Sequence, residues 1–149
     1  MHIYIDADAC PVKDETYKVA ARHRVPVTVV SNSFLRVPRD PGIQQVVVDA
    51  GPDVADDWIA ERADAHSVVI TADILLAERC LAGGATVLAP NGKPFTTASI
   101  GSQVATRALM DQLRGSGEIT GGAPPFSQKD RSVFLQSLHE ALIRLDQRP

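Results

Sequence analysis

The sequence predicts an α/β domain with a mostly parallel, five-stranded sheet flanked by helices, and three features carry that expectation. Short β-rich apolar runs alternate with stretches of helical periodicity. The runs are nearly continuous in apolar character, as strands covered on both faces of a parallel sheet tend to be. The segments between them are long enough for crossover helices. At 149 residues the chain has an ordinary size for one domain, so residues 1–149 read as a single unit.

His2 to Ile5 forms the first strand. The first helix opens at Pro11, whose fixed φ suits a first helical position, and carries Val12, Thr16, Val19, Ala20 and His23 on one face before Val25-Pro26 ends it. Val27 to Val30 is the second strand; Ser31 to Gly42, with Pro38 and Pro41, is an ordered loop; Val46 to Val48 is the third strand. A helix over Val54 to Ala63 leads to a strand at Val68 to Ile70. The next helix begins near Asp73 and stops at Gly83-Gly84, where positive φ is easily reached. Thr86 to Leu88 is the fifth strand, and Ser99 to Arg114 a further helix. Gly115 to Phe126 reads as a flexible loop leading to Ser127, which forms an Asp-containing variant of a capping box with Asp130. The final helix spans about residues 128–146 and buries Val133, Phe134, Leu138, Leu142 and Leu145.

Hydrophobic residues at 44% and charged residues at 22% are ordinary globular values, which excludes disordered and fibrous classes. No signal-like segment and no run near the ~20 apolar residues of a membrane span is present, so a cytoplasmic location is expected. Cys10 and Cys80 lack zinc or disulfide spacing and read as buried thiols. The four histidines, His2, His23, His66 and His139, are scattered and read as surface or packing residues. A net charge of −3 does not advertise binding to a phosphate backbone, but a carboxylate site that holds metal carries local positive charge of its own.

Ligands of open parallel sheets bind beyond the carboxyl ends of the strands. Asp6 and Asp8 follow the first strand, and Asp73 follows the fourth. Each alone has an ordinary structural use, Asp73 as a helix cap and the other two in turn hydrogen bonds. Asp56 shares a helical stripe with Ile59, Ala60 and Ala63, whereas Asp57 shares one with Glu61 and Asp64 and reads as solvated. A carboxylate on an apolar margin is costly to bury unless it is paired, hydrogen-bonded or metal-bound, although the dipole at a helix start also favours it. Convergence of Asp6, Asp8, Asp56 and Asp73 would raise some of their pKa values, and a hard cation, Mg²⁺ or Mn²⁺, relieves that repulsion. Such a site suits phosphodiester hydrolysis, and no Ser-His-Asp or Cys-His pattern competes with it. The hydroxyls of Ser31, Ser33 and Thr71, with Gly121 and Gly122, stand as contacts for a sugar-phosphate backbone near the same rim.

Asp6-Ala-Asp-Ala-Cys-Pro-Val-Lys13, Ala55-Asp-Asp-Trp-Ile59, Ile70-Thr-Ala-Asp-Ile74, Leu109-Met110 with Leu113-Arg114, and Gly117 to Gly122 with Pro125-Phe-Ser127 resemble the YaiI/YqxD family of bacterial proteins. The resemblance spans nearly the whole chain. It implies a single PIN-like three-layer domain, grouped with NYN-type metal-dependent ribonucleases, in which Asp6, Asp56 and Asp73 are the metal-side acids. Where NYN-type domains commonly carry a second acid two residues past the position of Asp73, this chain has Leu75; Ala89 to Lys93 lacks the Arg often found after the fifth strand.

The leading expectation is a Mg²⁺- or Mn²⁺-dependent nuclease acting on RNA. Asp6, Asp56 and Asp73 are its metal ligands, Asp8 is a ligand or water-positioning base, and Lys13, Arg107 and Lys129 contact phosphate. Two alternatives stand beside it. The Asp6-Ala-Asp8 pair after a first strand resembles the nucleophile and acid of haloacid-dehalogenase-type phosphatases, and the Leu75 departure suits a non-catalytic member that binds RNA or a protein partner.

Overall fold

The computed structural model describes residues 1–51, 53–115 and 126–147; at residues 9, 114 and 115 only the backbone is considered. The stretch read as a flexible loop, with Gly121 and Gly122, lies outside the described residues except at its two ends.

The strands are β1 (His2–Asp6), β2 (Val27–Ser31), β3 (Ile43–Val47), β4 (Ser67–Ile70), β5 (Thr86–Leu88) and β6 (Pro94–Phe95). The helices are α1 (Lys13–His23), α2 (Val54–Arg62), α3 (Ile74–Ala82), α4 (Ile100–Gly115) and α5 (Gln128–Asp146), with a short 3-10 turn at Ala7–Ala9. One sheet runs in the order β3-β2-β1-β4-β5-β6. All neighbours are parallel except β5 and β6, which pair antiparallel. Among the described residues the sheet therefore has six strands where the sequence suggested five.

The alternation of side chains across the pleat divides the core into two halves. Ile3, Ile5, Val27, Val29, Val68 and Ile70 pack against Val12, Val19 and Ala20 of the α1 segment and Phe134, Leu138 and Leu142 of α5. Val30, Val69 and Val87 face the other way, onto Ala55 and Ile59 of α2, Leu76, Ala77 and Cys80 of α3, and Ile100 of α4. Helices thus cover both faces of the sheet, which explains the nearly continuous apolar character of β2 and β4, buried at every position.

Several boundaries depart from the sequence reading for identifiable reasons. Pro11 stands in a turn, and α1 starts at Lys13 after Val12, which is fully buried and keeps non-helical dihedrals. The third strand begins at Ile43, ahead of the expected Val46, and its mixed burial marks it as a sheet edge, unlike its parallel neighbour β2. Residues 32–42 contain no helix. On α5, Val133 is 41% exposed while Ala141 is buried, so the apolar stripe lies slightly to one side of the expected one. The capping box at Ser127 and Asp130 is fully formed. Cys10 and Cys80 are buried free thiols. Among the described residues no helix is long and apolar enough to cross a membrane.

Candidate acidic site at the sheet switch point

Strand order reverses between β1 and β4, with β2 and β3 on one side and β5 and β6 on the other. A crevice at such a reversal is where open α/β sheets bind ligands. Ile5 and Ile70 are register partners, so the residues that follow them, Asp6 and Thr71, leave the sheet at one level. Ile5 and Ile70 point into the α1/α5 core. Alternation therefore turns Asp6 and Thr71 toward α2 and α3.

Thr71 joins two of the acids. Its buried hydroxyl donates to Asp6 Oδ2 at 2.8 Å, and the same oxygen accepts the backbone N–H of Asp73 at 3.0 Å. Asp73 is the N-cap of α3, taking the N–H groups of Leu75 and Leu76 on Oδ1 at 2.9 and 3.3 Å. Asp56 stands in the first turn of α2 and is half-buried, whereas Asp57 beside it is exposed and pairs with Arg79 at 2.7 Å.

The acids act on one another. Burial foremost, and then the charges of Asp73, Asp6 and Asp53 with a carboxyl–carboxyl approach to Asp73, push the Asp56 carboxyl up to about 6. Asp6 is also raised, first by burial; the hydrogen bond from Thr71 opposes this, and the charges of Asp73 and Asp8 reinforce it. Such mutual raising is the behaviour of carboxylates brought together with too little positive charge between them. Among the described residues, however, no three His, Cys, Asp or Glu side chains form a group arranged to hold a metal ion. Asp6, Asp56 and Asp73 are an interacting acidic group without the geometry of a finished ligand cage.

Asp8, in the 3-10 turn, is exposed, and both of its carboxylate oxygens lie 3.1 Å from the backbone N–H of Asn32, just beyond β2. A cavity of about 340 Å³ is lined by Asp6, Asp8, Cys10, Ala72, Asp73, Pro90 and Arg107. Asp56 is not part of that lining and reaches the group from α2.

The side chains expected to touch substrate have different surroundings. Arg107 lines the acidic cavity. Lys13 donates from Nζ to the carbonyl of Cys10 at 2.8 Å and so braces the turn that carries Asp8. Ser31 is buried and donates its hydroxyl to the Ser33 carbonyl at 2.6 Å, while Thr71 is spent on Asp6 and Asp73. Lys129 is exposed in the first turn of α5 and does not line the cavity. The holding of Asp8 by Asn32 escaped the sequence reading, because a backbone N–H has no signature in residue type.

The model of the uncharacterised bacterial YaiI/YqxD family matches residues 4–144. The chain is 65% identical over 144 residues to a UPF0178 protein of Sphingopyxis alaskensis, covering 96% of this chain and 94% of that one. It is 58% identical over 146 residues to a UPF0178 protein of Bradyrhizobium diazoefficiens, covering 98% and 87% of the two chains. It is 61% identical over 143 residues to one of Azorhizobium caulinodans, covering 96% and 90%. No solved structure matches the chain at a significant level. With its fourth strand, its acidic positions and most of its first strand and last helix inside the matched span, the chain belongs to the YaiI/YqxD family.

Proposed function

We propose that the protein is a Mg²⁺- or Mn²⁺-dependent nuclease that cleaves RNA, with Asp6, Asp56 and Asp73 as the residues that hold the cation. The observation that supports this reading best is the upward shift of Asp56 to about 6 by burial and by Asp73 and Asp6 at the sheet switch point. The donors are all carboxylate oxygens, which suit a hard cation better than zinc. When bound, the cation supplies Lewis-acid stabilisation to a phosphodiester. Thr71 fixes the rotamer of Asp6, and Asp8, steadied by Asn32, is the group to orient the attacking water or take its proton. Arg107 across the cavity pairs with the scissile phosphate.

Labelled RNA incubated with purified protein and Mn²⁺, beside the D6N variant, tests the activity. Cleavage by the wild type and its loss in D6N are expected; equal background with both proteins removes the enzymatic claim.

A second reading, a non-catalytic RNA-binding member of the fold, is favoured by two observations. Asp8 and Asp73 already accept backbone N–H groups, and no three-residue ligand group exists among the described residues. Calorimetric titration with Mn²⁺ separates the two, since the binding module needs no cation at the acidic rim.

A further inference from the structure

The segment that leaves β2 beside Asp8 displays a cationic and aromatic cluster that the acidic site does not use. Its geometry is set from within. The Leu35 N–H donates to Gln45 Oε1 at 2.7 Å, and Leu35 and Val37 pack against the α1/α5 core. The residues flanking Leu35 point outward, Phe34 at 78% exposure and Arg36 exposed, and beyond Val37 both Pro38 and Arg39 are exposed as well. Phe34, Arg36, Val37, Pro38, Arg39 and Gln45 line one hollow. Neither arginine has an ion-pair partner among the described residues. A lone exposed apolar residue requires no explanation. An exposed phenyl ring lining one hollow with two guanidinium groups that lack ion-pair partners among the described residues, on a backbone that half-buries Leu35 and Val37, is the arrangement single-stranded nucleic acid recognises by stacking and phosphate pairing.

We infer that residues 34–39 grip a single-stranded polynucleotide, with Phe34 stacking on a base and Arg36 and Arg39 pairing with flanking phosphates. This rests on the nuclease reading for its direction only: the hydrogen bonds from Asn32 to Asp8 join the start of the segment to the acidic rim, so a strand held there continues toward Asp6 and Asp73. In a chain of net charge −3, two unpaired arginines here place attraction for phosphate beside a rim that repels it.

The test measures fluorescence anisotropy of a labelled 12-nucleotide RNA, and of DNA of the same sequence, in EDTA across a salt series, with Mn²⁺ titrated separately by calorimetry. F34A should weaken binding roughly 5- to 150-fold, the range for loss of one stacked base at about 1–3 kcal/mol. R36Q/R39Q should lower the slope of log affinity against log salt by about 1.4, as loss of two phosphate contacts on a single strand requires. Both variants should keep the wild-type Mn²⁺ isotherm and melting curve. Failure of the wild type to bind either strand, or equal binding by wild type and both variants, overturns the inference. Loop-dependent binding without cleavage or Mn²⁺ uptake leaves the grip standing and removes the nuclease reading. A preference for the RNA or the DNA arm assigns the strand.

Discussion

The hydroxyl of Thr71 donates to Asp6 Oδ2 at 2.8 Å, and that one bond ties the end of β1 to the residue after β4. Because Thr71 Oγ1 also accepts the Asp73 N–H, its loss affects both acids.

T71V should therefore do two things. It removes the group that opposes the upward shift of Asp6, so that carboxyl moves further up and binds a cation less well at neutral pH. It also leaves a half-buried N–H and carboxylate without this partner, at a cost of about 1 kcal/mol. Calorimetry with Mn²⁺ and urea denaturation check both, and T71S, which keeps the hydroxyl, should restore most of each. T71V with wild-type stability and Mn²⁺ affinity would show that the bond matters to neither.

Asp73 has a structural role and a proposed chemical one, and two substitutions separate them. As N-cap of α3 it can be replaced by Asn, whose side-chain oxygen also accepts from Leu75 and Leu76, whereas Ala cannot cap. D73A should cost about 1 kcal/mol of stability and D73N only a few tenths. Both should weaken Mn²⁺ binding tenfold or more if Asp73 holds the cation. D73N binding Mn²⁺ like the wild type makes Asp73 a cap alone.

Asp56 sets a pH dependence whose sign can be worked out. A carboxyl with a folded pKa above its unfolded one holds its proton more tightly when folded. It favours the folded state at low pH, and that contribution is lost as pH rises from the ordinary carboxylate range through about 6. Because Asp56 is partly open to water, the size after screening is about 1 kcal/mol. In EDTA, D56N should melt about 2–4 °C above wild type at pH 8 and coincide with it near pH 4. Mn²⁺ should narrow the gap at pH 8 by stabilising only the wild type. An equal gap at both pH values would place the effect of D56N outside its charge.

What could be read from residues alone was what depends on local pattern. The apolar runs of β1, β2, β4 and β5, the Asp73 cap and the Ser127–Asp130 box all announce themselves within a few residues. What escaped depends on partners far away in the chain. His23 and His139 look scattered but meet at 2.8 Å across α1 and α5, a pairing that only the packing of those helices creates. The Thr71–Asp6 bond follows from strand register, and the grip on Asp8 from a backbone group. The edge strand β3 was placed late because Gln44 and Gln45 interrupt its apolar run, an interruption that an edge tolerates. The two-residue β6 starts with Pro94, which removes a donor, yet Asn91-Gly92 before it is a strong hairpin signal.

That hairpin supplies the last prediction. Gly92 has φ +87°, and a Cβ there would lie 2.7 Å from Val133 Cγ1 and 2.8 Å from both the Phe134 N and the Val133 carbonyl carbon. The turn between β5 and β6 is thus pressed directly against the backbone of α5, whose Phe134 is fully buried in the core. G92A should combine left-handed strain with overpacking and cost about 2–4 kcal/mol in urea denaturation. Truncating the neighbour should not help: G92A/V133A relieves the Cγ1 clash but leaves the two backbone atoms, so it should recover less than half of the loss. Full recovery in the double variant would mean that the turn rests on the Val133 side chain and not on the helix itself. In that case Pro90, which lines the acidic cavity from this same turn, is held less firmly than the close approach of the two backbones implies.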